Sequence, residues 1–181
     1  MASQYALVAY VRNEVGEFVE KLRHELHPEH AHSPAHISIL PPRCLAGSEP
    51  DALRLLQQVV RQVEPFEAVM GEVQTFLPST PTVFIRVAHA AYRVRELHDR
   101  LNAGALQADE PWPFMPHLTL FKMDTNGQAQ AALGTAVQLW AQYCRSRRIV
   151  IDQLTFVRNL GLNQWADIAS FPLGSRAAIP E

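Results

Sequence analysis

Residues 113–121, Pro113-Phe114-Met115-Pro116-His117-Leu118-Thr119-Leu120-Phe121, form a proline-rich lead into a short apolar strand. A second stretch, Ser33-Pro34-Ala35-His36-Ile37-Ser38-Ile39-Leu40, repeats this design. Successive side chains of a strand alternate between its two faces, so His117 and Thr119 share one face, as do His36 and Ser38. Each strand therefore offers an imidazole and a hydroxyl to the same space, while apolar side chains anchor it from behind.

The elements around these two motif strands follow the same order in both halves of the chain. Apolar periodicity and turn residues predict further strands over 5–11, 66–76, 82–88, 149–160 and 165–171. They also predict a helix over 15–26, one between Ser48 and Pro65, one over 90–103, and one opened by Asn126-Gly127. Pro41 and Pro42 are expected to end the first motif strand, because proline donates no ladder hydrogen bond. Residues 175–181 are expected to form a frayed tail.

An internal duplication is the economical interpretation of this order. The two motif histidines are 81 residues apart (117 minus 36), and each motif is followed by a helix and then a strand. We expect a single domain made of two pseudo-symmetric lobes, about 1–78 and 79–174, with allowance for strands exchanged between them. Packing about a pseudo-two-fold axis would bring the two histidines face to face.

Composition narrows the class of protein. The 181 residues carry a formal net charge of -2 and 48% are hydrophobic, which suits a globular core and argues against nucleic-acid binding through a broad basic face. Cys44 and Cys144 lie far apart without a CxxC spacing, and no apolar run approaches the roughly 20 residues that span a bilayer. We expect a cytoplasmic protein that is a monomer and does not bind a membrane.

Two histidines on facing strands suit the cleavage of a phosphate ester. The unperturbed pKa of histidine is near 6.5, so one imidazole can accept a proton from the attacking group while the other donates one to the leaving oxygen, without a metal. Hydroxyls two residues along, those of Ser38 and Thr119, can donate to the non-bridging phosphate oxygens. The alternative is structural: two half-buried histidines bonded to backbone carbonyls.

The sequence gives weaker evidence for functional residues outside the two motifs. Arg43, Phe114 and Phe121 are candidate substrate contacts, and Phe121 shares the face of His117 and Thr119, although it would also serve as a core residue. The histidine run, His24, His27, His30, His32 and His36, is expected to be a solvated loop rather than a metal site, because no cysteine lies nearby. The basic cluster, Arg145, Arg147 and Arg148, is expected to complement a helix dipole rather than to attract a polyanion. His89 and His98 are expected at the surface.

The two motifs resemble the paired HxTx and HxSx motifs of the 2H phosphoesterase superfamily, and are most similar to its bacterial 2′-5′ RNA ligase-like branch. The resemblance covers nearly the whole chain in element order. It implies an α+β bilobal fold in which two antiparallel sheets line a central cleft, with helices outside. It also implies that His36 and His117 are catalytic and that Ser38 and Thr119 hold phosphate.

In members that open 2′,3′-cyclic phosphates, the first-motif histidine is usually assigned as the acid to the 3′ leaving oxygen and the second as the base to water. The resemblance thus implies a hydrolase that takes a nucleotide or an RNA end with a cyclic phosphate or a 2′-5′ linkage and needs no cofactor. Reversible 2′-5′ ligation is a known activity of the family. A non-catalytic nucleotide-binding or RNA-end-binding module, and an enzyme acting on another phosphodiester metabolite, remain alternatives.

Overall fold

Strands and helices alternate along the computed structural model, which describes residues 3–162 and 164–174. Within those residues the strands are β1 (Tyr5–Tyr10), β2 (His36–Arg43), β3 (Phe66–Thr75), β4 (Thr82–His89), β5 (His117–Lys122), β6 (Arg148–Ile151), β7 (Gln153–Gly161) and β8 (Gln164–Pro172). The α-helices are α1 (Glu14–Leu26), α2 (Glu49–Val60), α3 (Ala91–Leu101) and α4 (Asn126–Gln142). The predicted tail at 175–181 lies outside the described residues.

Local sequence fixes where three of the helices begin. Asn13 caps α1 by accepting a hydrogen bond from the backbone N–H of Val15, and Ser48 caps α2 in the same way from Asp51. The α4 helix begins with a capping box between Thr125 and Gln128. Such caps satisfy backbone N–H groups that have no partner inside the helix, so they set the helix starts independently of tertiary packing.

The eight described strands form one antiparallel sheet in the order β6-β3-β4-β5-β2-β1-β7-β8. The two motif strands, β2 and β5, are neighbours at its centre, but they pair only at Ile37 and Leu118. This single pair divides the sheet into two four-stranded halves, each of which has a motif strand at its inner edge. The predicted α+β class is confirmed, and these halves are the two antiparallel sheets that the resemblance implies.

The two faces of the sheet differ in what covers them. On one face, apolar side chains from all four helices and from the strands form the main core, which includes Val19, Leu56, Leu97 and Trp140 from the helices. The inward-facing residues of the motif strands, such as Ile37, contribute to this core. The alternate residues of β2 and β5 therefore project from the face that the helices leave uncovered.

Two predictions of strand ends are corrected. The first motif strand does not stop at Pro41 and Pro42, because β2 runs through both prolines and Arg43 still pairs with Tyr5 across a register shift. Such an irregularity lets residues without an N–H lie in a strand. The predicted strand over 149–160 is two strands, β6 and β7, which meet at Asp152 and belong to different halves of the sheet. No helix in the described part of the chain is long and apolar enough to cross a membrane.

Candidate active site

The four motif side chains lie together on the uncovered face at the centre of the sheet. Extending the antiparallel register from the Ile37–Leu118 pair places His36 opposite Thr119 and Ser38 opposite His117. Each histidine is thus diagonal to the other across two neighbouring strands, a separation over which side chains on one face interact. All four side chains are half-buried.

Both imidazoles are oriented by the same local contact. Nδ1 of His36 lies 2.7 Å from the carbonyl oxygen of Pro34, and Nδ1 of His117 lies 2.6 Å from that of Met115. A carbonyl oxygen only accepts hydrogen bonds, so Nδ1 carries the proton in each ring and Nε2 of the neutral ring is left with the lone pair. Among the described residues neither Nε2 has a hydrogen-bond partner. The carbonyl contacts therefore orient the rings and leave Nε2 of each ring available for proton transfer.

The surroundings of the two histidines favour their neutral forms. Burial lowers the pKa of His36, and the positive charges of Arg23 and His117 lower it further, against the raising effect of the Pro34 carbonyl. Burial also lowers the pKa of His117, against the raising effect of the Met115 carbonyl. A neutral imidazole with a free Nε2 can accept a proton.

Aromatic rings flank each histidine. His117 lies against Phe76 and Phe84, with ring centroids 5.0 and 5.1 Å away. His36 meets the edge of Tyr10 at a centroid separation of 6.4 Å. The Tyr10 hydroxyl donates to Asp167 over 2.6 Å, and burial together with this carboxylate raises the pKa of Tyr10, so the phenol keeps its proton.

A pocket of about 350 Å³ is lined in part by Tyr10, the aromatic neighbour of His36, and by none of the four motif side chains. Its lining includes Tyr10 at the end of β1, Arg12 just after it, Val150 from β6, and Gln153 and Thr155 from β7. It therefore lies where the chain passes from one half of the sheet to the other. Because Tyr10 contacts both His36 and this pocket, a molecule bound at the histidines could extend into it.

A family model of the 2′-5′ RNA ligase superfamily matches residues 11–162. The chain belongs to this superfamily. Among its curated relatives, a proposed phosphoesterase of Halalkalibacterium halodurans is 22% identical over 172 residues, which are 94% of this chain and 97% of the relative. Another from Bacillus licheniformis is 21% identical over 173 residues, covering 95% of this chain and 99% of the relative.

Solved structures share the fold of this superfamily member. The crystal structure of Escherichia coli LigT in complex with NADP+ superimposes with a TM-score of 0.66 at 15% identity, covering 97% of this chain and all of LigT. The TT0787 protein of Thermus thermophilus has a TM-score of 0.66 at 17% identity, covering 96% of this chain and all of that protein. At these identities the likeness shows the fold alone.

The three further candidate contacts of this 2H phosphoesterase superfamily member all pack against other parts of the protein, and Phe121 and Arg43 are buried. Phe121 is in the core and 3% exposed, because a register shift in the β4–β5 ladder, where Val83 pairs with Phe121 but Phe84 pairs with Thr119, breaks the alternation. Phe114 is half-buried and stacks on His98 with ring centroids 4.0 Å apart.

Arg43 belongs to a buried network behind the site. Its guanidinium donates to the side chains of Asn102 and Glu110 and to the carbonyl of Leu106. Glu110 also lies 3.0 Å from Nε2 of His98, whose Nδ1 is 3.0 Å from Asp99. The prediction of a surface His98 is therefore wrong, because its ring is enclosed by Phe114 and these carboxylates. The network ties the loop before His117 to α3 and to the end of β2.

The other clusters have local partners. Arg145 pairs with Glu14, and Arg148 pairs with Glu67 at 3.2 Å. The guanidinium of Arg147 lies over the ring of Trp140. Among the residues that the structure describes, which exclude the side chain of His30 in the histidine run, no group of three or more His, Cys, Asp or Glu converges to hold a metal ion.

Sequence reasoning missed three residues near the motif strands. Tyr10 and Arg86 are the ladder partners of His36 and His117, and regular alternation along β1 and β4 would have suggested them once the sheet order was known. Arg86 forms an ion pair with Glu72. Arg23 contacts the backbone of β5 from helix α1, and its position in the helical pattern gave no signal of this role.

Proposed function

We propose that this protein is a metal-independent phosphodiesterase that opens 2′,3′-cyclic phosphates of nucleotides or RNA ends to 2′-phosphates. The observation that carries the proposal is the matched pair of imidazoles. In both rings Nδ1 is held by a backbone carbonyl, and Nε2 is left to exchange protons on the uncovered face of the sheet. The names of the curated relatives support the broader class, a phosphoesterase.

The reaction needs one proton removed and one supplied. Nε2 of a neutral imidazole takes a proton from water as the water oxygen attacks phosphorus, and Nε2–H of the other, protonated imidazole donates to the 3′ oxygen as its bond to phosphorus breaks. The product carries a 2′-phosphate and a free 3′ hydroxyl. At the end of the step the imidazole that acted as the base is protonated and the one that acted as the acid is neutral. Ser38 and Thr119, each opposite a histidine, can donate to the non-bridging oxygens, whose charge changes in the transition state.

The rest of the substrate would occupy the pocket beside Tyr10. This pocket shares Tyr10 with the surroundings of His36, and its aromatic, amide and guanidinium groups suit stacking and hydrogen bonding with a nucleoside. LigT has been crystallised with NADP+, with 3′-AMP and with ATP, which supports a nucleotide as the substrate here. Both cysteines are free thiols, which suits the cytoplasmic location expected from the sequence.

Incubation with a substrate panel tests the proposal. The panel contains 2′,3′-cyclic nucleotides, RNA with a cyclic phosphate end and 2′-5′-linked dinucleotides, with products identified by phosphorus NMR in excess chelator. His36→Asn and His117→Asn should each abolish turnover while circular dichroism shows a retained fold. His89→Asn, at an exposed position at the end of β4, is the matched control and should keep full activity.

The outcomes separate the alternatives. Retained hydrolysis in either motif variant would refute the two-histidine mechanism, and loss of activity in chelator would refute metal independence. Binding of a cyclic nucleotide without turnover would indicate the non-catalytic module. Turnover of the 2′-5′ dinucleotides, or sealing of RNA ends in the reverse direction, would indicate ligase-type chemistry at the same histidines.

A further inference from the structure

Arg23 is a buried arginine on α1 that contacts the backbone around both motifs. Its side chain donates from Nε to the carbonyl of Leu120 over 3.0 Å, from one terminal nitrogen to the carbonyl of Ser33 over 2.7 Å, and from the other to the carbonyl of Thr119. Thr119 and Leu120 belong to the second motif strand, and Ser33 precedes the first. One planar guanidinium therefore connects the two motifs.

These carbonyls need such a donor. The register shift in the β4–β5 ladder falls at Leu120, which is an extra residue on the β5 side, and a bulge leaves backbone groups of the bulged strand without ladder partners. On the other side, β5 pairs with β2 only at Leu118. A buried carbonyl without a partner is costly, and the fork of donors on Arg23 satisfies two of them on adjacent residues.

A second residue of α1, Glu20, also holds the backbone next to the first motif. One carboxylate oxygen of Glu20, one turn before Arg23, accepts a hydrogen bond of 2.9 Å from the backbone N–H of Ala35. The helix therefore holds the chain immediately before His36 at two points, the carbonyl of Ser33 and the N–H of Ala35. The carbonyl that orients the His36 ring belongs to Pro34, which lies between them.

We propose that Arg23 is a positioning residue for the reaction, which holds the two motif strands in one fixed relation and places a positive charge behind His36. This inference rests on the proposed function. The two halves of the sheet share a single residue pair at their junction, so the distance and angle between the two histidines need a further constraint. Arg23 provides that constraint from the helix side.

Arg23 is one of several charged or titratable groups around His36. None of the ion pairs of the described residues includes Arg23, and Glu20 is the acid whose charge acts on it. The other groups that face His36 are His117 from β5 and Tyr10 from β1, whose ring is covered by Arg12 and whose hydroxyl binds Asp167. Arg23 and His117 both lower the pKa of His36. Removing Arg23 should therefore move the titration of His36 to higher pH.

Two substitutions separate the geometry from the charge. Arg23→Lys keeps the positive charge but cannot donate to three carbonyls in one plane, so kcat on the 2′,3′-cyclic nucleotide should fall by about tenfold to a hundredfold, with the His36 titration close to that of the unmodified protein. Arg23→Met removes the charge as well, so kcat should fall at least as far and the His36 titration should move to higher pH. The titration is followed by NMR of the imidazole nitrogens, assigned with His36→Asn.

The matched control is Arg43→Met. Arg43 is also a buried guanidinium, but it pairs with Glu110 and donates to no carbonyl of residues 33, 119 or 120. Its removal should lower stability and leave the His36 titration unchanged. A shift of the same size in Arg43→Met would overturn the assignment of the charge effect to Arg23.

The titration needs no substrate, so the effect of the Arg23 charge on His36 is decided even if no member of the panel is turned over, an outcome that refutes the proposed function but not the contacts of Arg23 with both motifs. A folded Arg23→Met protein with an unchanged His36 titration or an unchanged kcat would overturn the inference. If Arg23→Met does not fold, Arg23→Lys carries the test: a lowered kcat with an unchanged titration supports it, and an unchanged kcat overturns it.

Discussion

Replacing Glu110 with glutamine should destabilise the protein through the network behind the second motif. Glu110 faces both the guanidinium of Arg43 and Nε2 of His98. The Arg43 side chain is 3% exposed and that of Glu110 is 18% exposed. Glutamine keeps the shape of the side chain but removes the charge, so it leaves the Arg43 charge buried without a counter-charge.

The size of the effect follows from this burial. Breaking a buried ion pair by removing one partner costs about 3–5 kcal/mol. Arg43 keeps two neutral acceptors, Asn102 and the carbonyl of Leu106, and Glu110 is partly hydrated, so we expect a loss of about 3 kcal/mol in the free energy of unfolding. With an m-value of about 2 kcal/mol per molar urea, the midpoint of urea unfolding should fall by about 1.5 M.

Urea unfolding followed by tryptophan fluorescence measures this change. Glu96→Gln, at an exposed position on α3, is the matched control and should change the free energy by less than about 0.5 kcal/mol. The double variant Glu110→Gln/Arg43→Met should lose less free energy of unfolding than the two single variants add up to, because Arg43→Met removes the buried charge that Glu110→Gln leaves without a counter-charge. A Glu110→Gln protein within about 1 kcal/mol of the unmodified protein would refute the reasoning.

Three further predictions concern two helical glycines, the Thr119 hydroxyl that is proposed to donate to phosphate, and the pH dependence of kcat/KM. A Cβ at Gly16 would overlap the carbonyl of Val11, whereas one at Gly134 meets nothing within 4 Å. In thermal unfolding, Gly16→Ala should therefore lower the free energy of unfolding by at least about 2 kcal/mol. Gly134→Ala should raise it by up to about 1 kcal/mol, because alanine favours the helix more than glycine does. Thr119→Val should lower kcat/KM about a hundredfold and Thr119→Ser should restore most of it; equal loss in both would show that the hydroxyl is not the reason. Because burial lowers the pKa of both histidines from the usual 6.5, the singly protonated pair is lost as pH rises through these lowered values. The value of kcat/KM should therefore already fall below neutral pH and approach a tenfold loss per pH unit above it; a flat profile to pH 8 contradicts this.

Patterns within a few residues predicted most of the fold. The motif strands and the alternation that puts His36 with Ser38 and His117 with Thr119 are local properties, and apart from the two corrected strands the structure has its strands and helices near where the periodicity indicates them. The Nδ1 contacts are local too, since each carbonyl lies two residues before its histidine.

What the sequence did not predict depends on contacts between distant segments. The bulge at Leu120 moves Phe121 into the core, and a regular alternation gives no hint of it. His98 is buried because a loop from residues 107–116 folds over it, which a helical pattern cannot show. The role of Arg23 requires that α1, which follows β1, packs against β5 of the other half of the sheet.

The two histidines share their hydrogen bonding but differ in the charges around them, and this difference predicts which one is the acid. Burial lowers the pKa of both histidines and the repulsion between the two imidazoles is mutual, but the positive charge of Arg23 lowers the pKa of His36 alone. We therefore predict that a single proton on the pair lies on His117, with His36 as the base and His117 as the acid, the reverse of the order that the resemblance implies.

A diester with a p-nitrophenolate leaving group distinguishes the two orders, because that group departs without a proton and needs no acid. We expect His117→Asn to lose activity on a 2′,3′-cyclic nucleotide but to keep much of it on the p-nitrophenyl diester, while His36→Asn loses both. The opposite result would assign His36 as the acid and would mean that bound substrate, rather than the charges of the free protein, decides where the proton lies.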